Sequence, residues 1–458
     1  MLAYNREFGR VTARAASPMQ ESARGRDMPD RRTVRSYIEI EDPSDDLIAL
    51  YRDWTGTGVE RLLRSFNVAF ADPIPPANWR LQPYEALSPD YEMPRPTHVV
   101  FAFAQSENDV TSNLSLPRTL AKGVTLNASP EIAAADVWCP VGGGDTTFGT
   151  RANALSLIRA GGLATAGARG QGVHVVIVDQ GLDRTRLLTY ISGWNQDSVM
   201  AGAATGGHGM MVARNVLSVA PNAFLWDCPL IPEAIEDVSS FMDVAADAMN
   251  VVLDTIRVLK LFGLDKWVIV NSWAVYDRRT ETPTGDYTAD RNHAFNVAMG
   301  RANAMEIDVV FAAGNCGEFC PKGRCGPDDR GQGESILGAN SLANVLTAGA
   351  VRADGTWIGY SSQGPGKIDQ AKPDLCAPAQ FADPGDASPV NSGSSTSAAL
   401  AAGLIAALRS LRRKTVLTPE QMRQLLRARA RPGSPADGAN QIGSGVLDAQ
   451  AALDNMPP

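Results

Sequence analysis

The chain offers few groups able to do nucleophilic or acid–base chemistry, and they are unevenly placed. Its four histidines are His98, His174, His208 and His293. His98 and His174 open apolar runs, and His293 opens a helical segment after a polar loop, so these read as structural. His208 stands apart in Gly206-Gly207-His208-Gly209-Met210-Met211-Val212-Ala213, where glycines let the backbone approach a ligand and a helix follows. A second candidate is the hydroxyl cluster Ser392-Gly393-Ser394-Ser395-Thr396-Ser397, which passes directly into a small-residue apolar run ending at Leu411. That pattern predicts a tightly packed helix whose first turn displays serines. N–H groups at a helix start have no intrahelical partner, so they can face an oxyanion forming beside such a hydroxyl. A serine needs a base to take its proton, and an imidazole base needs a carboxylate to hold its tautomer. Asp179, His208 and the serines stand in the order Asp, His, Ser along the chain, which sets His208 apart from the other histidines.

These groups need a frame. Continuous apolar runs at 173–179, 223–231, 267–273, 309–313 and 345–351 suit strands buried on both faces. Helical spacing at 242–262 and 292–305 separates them, which predicts an α/β fold with a doubly wound, mostly parallel sheet. In such sheets ligands gather at the carboxyl ends of the strands, where Asp179 and Asn315 fall. Residues 153–458 are expected to form this domain. Ahead of it, residues 1–35 carry eight arginines against four acidic residues and read as a disordered tail. Residues 36–110 read as a small α+β module, with strands at 36–41 and 98–104 and one helix over 47–70. Residues 111–152 read as a connector.

Three segments carry a resemblance. Val176-Ile177-Val178-Asp179-Gln180-Gly181, Gly207-His208-Gly209 with Val212-Ala213, and Gly393-Ser394-Ser395 resemble the aspartate, histidine and serine segments of the subtilisin-like serine peptidases, in that family's chain order. Ala220-Pro221-Asn222-Ala223, Asn271-Ser272-Trp273 and Ala312-Ala313-Gly314-Asn315 resemble the stretch after the histidine helix, a wall of the substrate cleft and the oxyanion segment. Tyr360-Ser361-Ser362-Gln363-Gly364-Pro365, Lys372-Pro373-Asp374 and Ala377-Pro378 complete a resemblance over about 165–455. It implies a subtilisin-like fold and a serine endopeptidase acting on proteins or peptides. The family's count, met by Gly393, Ser395 and Gly403, implies Ser395 as nucleophile, with His208 as base and then acid and Asp179 as its orienting carboxylate. Asn315 and the Ser395 N–H would form the oxyanion hole, and Ser272, Trp273, Ala274, Ala313 and Gly314 would line the substrate cleft. Met210, Gln180, Ala274 and Ala399 depart from the family's usual residues without removing a catalytic group. Trp273 either fills a subsite or packs in the core.

The resemblance implies no cofactor for the chemistry. Structural calcium is common in the family, but no ligand loop here can be matched residue by residue. Cys316, Cys320 and Cys325 could form a loop disulfide, remain thiols or bind zinc, which usually takes four protein ligands. Whichever holds, the cluster is expected to stiffen the loop that positions Asn315. The N-terminal module is either an inhibitory pro-segment or a permanent domain that selects a target, and a catalytically restrained binding module is the alternative function. An α/β-hydrolase is excluded because no histidine follows His293. The net charge of −8 argues against nucleic acid or an anionic membrane as main partner. No run reaches about eighteen uninterrupted apolar residues, and the N-terminus shows no secretory pattern, so a cytoplasmic protein is expected, with its cysteines as thiols or ligands.

Overall fold

The computed structural model describes residues 147–458 except 196–198, 232–240, 281–285, 321–323, 384–389 and 412–415; before these it describes 3–5, 9–19, 33–41, 43–65, 72–74, 80–81, 98–106 and 131–134. The early strands are β1 (Ala3–Asn5), β2 (Gly9–Met19), β3 (Thr33–Glu41), β4 (Asp72–Ile74), β5 (Arg80–Leu81), β6 (His98–Ser106) and β7 (Glu131–Ala134). An antiparallel sheet runs in the order β1-β2-β3-β6-β4. The disordered tail expected over 1–35 is thus corrected at 3–5, 9–19 and 33–35, which are strands. A polar composition does not prevent this, because β3 offers main-chain N–H and C=O groups to any neighbour.

Helices α1 (Asp45–Asp53) and α2 (Gly56–Ser65) replace the single helix expected over 47–70. Ser44 caps α1 by accepting the Leu47 N–H, and Trp54 ends it in the left-handed region at φ 37°. Gly56 and Gly58 follow, which weakens any continuous helix; residues 66–70 lie outside the described residues. Leu47, Val59, Leu62 and Leu63 pack with Ile40, Val99, Phe101 and Phe103.

The large sheet is built from β8 (His174–Asp179), β9 (Tyr190–Asn195), β10 (Phe224–Pro229), β11 (Trp267–Asn271), β13 (Asp308–Ala312), β14 (Leu346–Val351) and β15 (Leu375–Pro378), while β12 (Trp273–Asp277) leaves it. Its order is β15-β14-β13-β11-β8-β10-β9-β5, with β5 antiparallel at the edge and the other pairs parallel. The chain fills one side of β8 first and then crosses to the other, so the order reverses beside β8. A ligand crevice belongs there.

Alternate side chains of these strands feed two cores. Val175, Ile177, Val268, Val270 and Val310 pack with α4 (His208–Val219) and α7 (Gly393–Arg409), whereas α3 (Arg151–Leu157) adds Ala154. Val176, Val178, Ile269, Val309 and Phe311 face α5 (Phe241–Leu261) and α6 (Ala294–Ala304). Strand alternation thus places the two serine- and histidine-bearing helices on one face. The expected run at 267–273 is broken at Ser272: β11 stays in the sheet, and β12 turns away to pair antiparallel with β7. The early residues also meet the body at β5 on β9 and through Tyr51, whose hydroxyl donates to Asp247 on α5 at 2.6 Å. Among the described residues no helix is long and apolar enough to cross a membrane.

Candidate active site

Three strand ends and two helix starts converge beside β8. Asp179 is the last residue of β8, and His208 is the first of α4. The imidazole Nδ1 lies 2.7 and 2.9 Å from the two carboxylate oxygens of Asp179. Asp179 Oδ1 also accepts the Gln180 N–H at 2.8 Å, and the Gln180 side chain accepts the His208 N–H at 3.3 Å. Gln180, a departure from the family pattern in the sequence, therefore ties the strand end to the helix start. Gly209 permits this approach, since a Cβ there would meet the Gly181 carbonyl oxygen at 2.4 Å.

The serine segment forms the first turn of α7, a helix whose residues 393–408 are all buried. Its hydroxyls have different partners. Ser397 donates to Ala377 O at 2.7 Å, Thr396 donates to Ser392 O at 2.9 Å, and Ser394 accepts the Gly314 N–H at 3.0 Å. Ser395 Oγ faces the Ser272 carbonyl oxygen at 3.2 Å. At Gly403 a Cβ would meet Val216 O at 2.7 Å, so glycine lets α7 press against α4. Asn215 on α4 also donates to Asn391 at 2.8 Å, fastening the histidine helix to the strand that leads into the serines.

Asn315 follows β13 through Ala313 and Gly314. Its Oδ1 accepts the Ser394 N–H at 3.0 Å, and its Nδ2 donates to Tyr276 Oη at 3.3 Å. Asn340 donates to both Trp273 O and Ala312 O at 2.8 Å, which clamps the strand ends that carry Ser272 and Asn315. Asp179, Ser395 and Asn315 are at most 1 % exposed and His208 is 7 % exposed, so charge–dipole effects among them are weakly screened. A further acid lies close: burial pushes the carboxyl of Asp227 on β10 up to about 6, against the hydrogen bonds from Gly202 and Leu182, with Asp179 adding to the rise.

Of the cleft residues named from sequence, Ser272 and Gly314 touch the serine turn, whereas Ala274 pairs with Ala133 of β7 and packs beside Gly314, where an added Cβ would meet that of Ala274 at 3.2 Å. Ala313 is held in the sheet by its N–H to Ala348 O. The Trp273 indole instead lies wholly buried among Phe241, Phe295 and Phe311, which answers the choice between subsite and core in favour of the core. Asn340 and Tyr276 went unseen, and Gln180 was noted only as a departure with no role, because an asparagine, an aromatic and a glutamine in such settings carry no chemical signature on their own.

Cys316 and Cys325 are joined by a disulfide, one of the outcomes left open above, and Cys320 keeps its thiol. Among the described residues, these three are the group whose metal-ligating atoms lie within 4.8 Å of one another. Two of them are consumed by the bridge, so the set does not fit tetrahedral zinc.

No curated protein matches the chain. Solved structures do: fervidolysin from Fervidobacterium pennivorans, described as a keratinolytic enzyme related to subtilisin, superposes with a TM-score of 0.54 at 15% identity, covering 88% of this chain and 60% of that one. MycP1 from Mycobacterium smegmatis gives a TM-score of 0.48 at 22% identity over 72% and 91% of the two chains. The prenylagaramide maturation protease PagA gives 0.46 at 18% identity over 64% and 97%. Fervidolysin shares the fold of a parallel sheet flanked by helices. The model of the subtilase family, peptidase S8, matches residues 170–445. That is more than half of the chain, and the protein belongs to the subtilase family of serine proteases.

Proposed function

We propose that Ser395, His208 and Asp179 form the catalytic triad of a serine endopeptidase. The observation that carries this reading is the double contact of His208 Nδ1 with the Asp179 carboxylate, at the start of a helix that packs against the helix whose first turn holds Ser395. Held in that tautomer, the imidazole presents Nε2 as base. It takes the Ser395 proton as Oγ attacks the scissile carbonyl, and then returns it to the leaving amine. Asp179 stabilises the imidazolium formed between these steps. The tetrahedral oxyanion accepts hydrogen bonds from Asn315 Nδ2 and the Ser395 N–H, which are donors set before the charge appears. Neither metal nor cofactor is assigned a step.

Substrate recognition is assigned to the edge of β12. An extended peptide can add to a strand edge by main-chain hydrogen bonds, and Ser272–Trp273–Ala274 leads from that edge to Ser395. In the structure β7 lies there, with Ala134 opposite Trp273 and Ala133 opposite Ala274. This favours a restrained form of the enzyme, in which a preceding segment of the same chain covers the substrate edge. The disulfide also supports an oxidising compartment over the cytoplasm expected from sequence.

Hydrolysis of a peptide library separates the readings. Ser395→Ala is expected to lower kcat by about 10⁶-fold, as loss of the triad serine does in a subtilisin. Wild-type protein that cuts no peptide after limited proteolysis ahead of residue 147 would favour a binding module.

A further inference from the structure

Tyr276 and Arg324 have no part in the triad, yet Tyr276 meets Asn315 and Arg324 meets Tyr276. Tyr276 lies wholly buried on β12, and its hydroxyl accepts hydrogen bonds from Asn315 Nδ2 at 3.3 Å and from Arg324 Nη2 at 2.6 Å. The Arg324 guanidinium also sits over the phenol ring, with Cζ 3.8 Å from its centroid. Arg324 precedes Cys325, whose bridge to Cys316 anchors this loop next to Asn315. The Gly326 N–H binds Tyr276 O at 2.7 Å, and Ala274, Tyr276 and Cys316 form a small cluster with Cys325 packed against it.

A side-chain amide carries two N–H donors and one acceptor in a single plane. Ser394 holds the acceptor of Asn315, and Tyr276 holds one donor. The direction of the second donor is then set by the planarity of the amide. Arginine can only donate, so its bond obliges the Tyr276 oxygen to act as an acceptor on that side too.

We propose that Tyr276 is a positioning residue for the oxyanion amide of Asn315, and that Arg324, on the loop closed by Cys316 and Cys325, holds Tyr276 in that task. This rests on the oxyanion role assigned to Asn315 above. The cation over the ring adds favourable potential near the forming negative charge.

A double-mutant cycle on the full chain tests it, with active sites titrated by a fluorophosphonate and unfolding temperatures recorded. Tyr276→Phe keeps the ring and removes the acceptor. It is expected to lower kcat about tenfold, the scale of one hydrogen bond, with KM changed less than about twofold. In an Asn315→Ala background the same substitution is expected to leave kcat unchanged. Arg324→Met is expected to give a smaller kcat loss that also vanishes in that background. Equal losses in both backgrounds, or no loss in either, would overturn the proposal while leaving the protease reading intact. Wild-type protein that neither cuts peptide nor takes the probe would instead remove the oxyanion role, and the proposal with it.

Discussion

The body around β8 and the residues before 147 are held by different means. The body around β8 places its groups through side-chain contacts, Asp179 on His208, Gln180 on the His208 N–H and Asn215 on Asn391, and through the close helix approach that Gly403 allows at Val216. The residues before 147 meet the body mostly through main-chain pairing, β7 on β12 and β5 on β9, with the Tyr51–Asp247 bond as a side-chain tie. Side-chain contacts demand particular residue types at particular spacings. Strand pairing demands only an available N–H and C=O. The first region is therefore specified tightly by residue type and the second only loosely.

The sharpest way to separate the two regions is within the body. Asn315→Ala is expected to lower kcat by about 10²–10³, the loss known for the oxyanion asparagine of a subtilisin, with little change in KM. Steady-state kinetics on a short peptide checks it. An equal loss in KM and none in kcat would assign Asn315 to substrate binding.

The second region is broken by proline. In an antiparallel ladder alternate residues exchange hydrogen bonds, so of two neighbours one donates to β12. Replacing Ala133 and Ala134 together by proline removes that donor whichever it is. If β7 covers the substrate edge, the double variant is expected to cut a peptide about tenfold faster than the uncleaved wild type, as loss of one or more ladder bonds allows. Equal rates would show that β7 restrains nothing.

How far each region was legible follows from the same difference. The five apolar runs became strands because parallel strands covered on both faces need near-continuous apolar side chains. Strand β9, Tyr-Ile-Ser-Gly-Trp-Asn, mixes polar and apolar residues, and β15 has four residues, so neither stood out. Asp179, His208, Asn315 and the serine cluster were legible because their chemistry restricts the residue type. Tyr276 was not, since an aromatic inside an apolar run reads as core. Nor did β7 show, because Glu-Ile-Ala-Ala has no feature that distinguishes an edge strand from a connector. The helix expected over 47–70 failed at Trp54, where the reversal is a backbone conformation and not a composition.

The smallest effect lies at the tie between the regions. Burial pushes the carboxyl of Asp247 up to about 7 from its usual 3.8, although the Tyr51 hydrogen bond pulls it down. The folded protein therefore holds a proton there between those values that the unfolded chain releases. Stability from this group is full below about 4 and is lost as pH rises through about 7. Asp247→Asn is expected to flatten that decline and to raise the unfolding temperature at pH 8 by about 2 °C or more relative to wild type. Asp227, raised to about 6, acts with the same sign, so some decline remains. A wild-type unfolding temperature that rises from pH 5 to 8, or a variant with an unchanged slope, would contradict this assignment.

The most direct measurement is the site of covalent modification by a fluorophosphonate, read by tandem mass spectrometry of the labelled protein. The expected adduct sits on Ser395 alone, and it is lost in Ser395→Ala and slowed by orders of magnitude in His208→Ala. An adduct on another residue, or labelling of Ser395 at the same rate without His208, would contradict the triad.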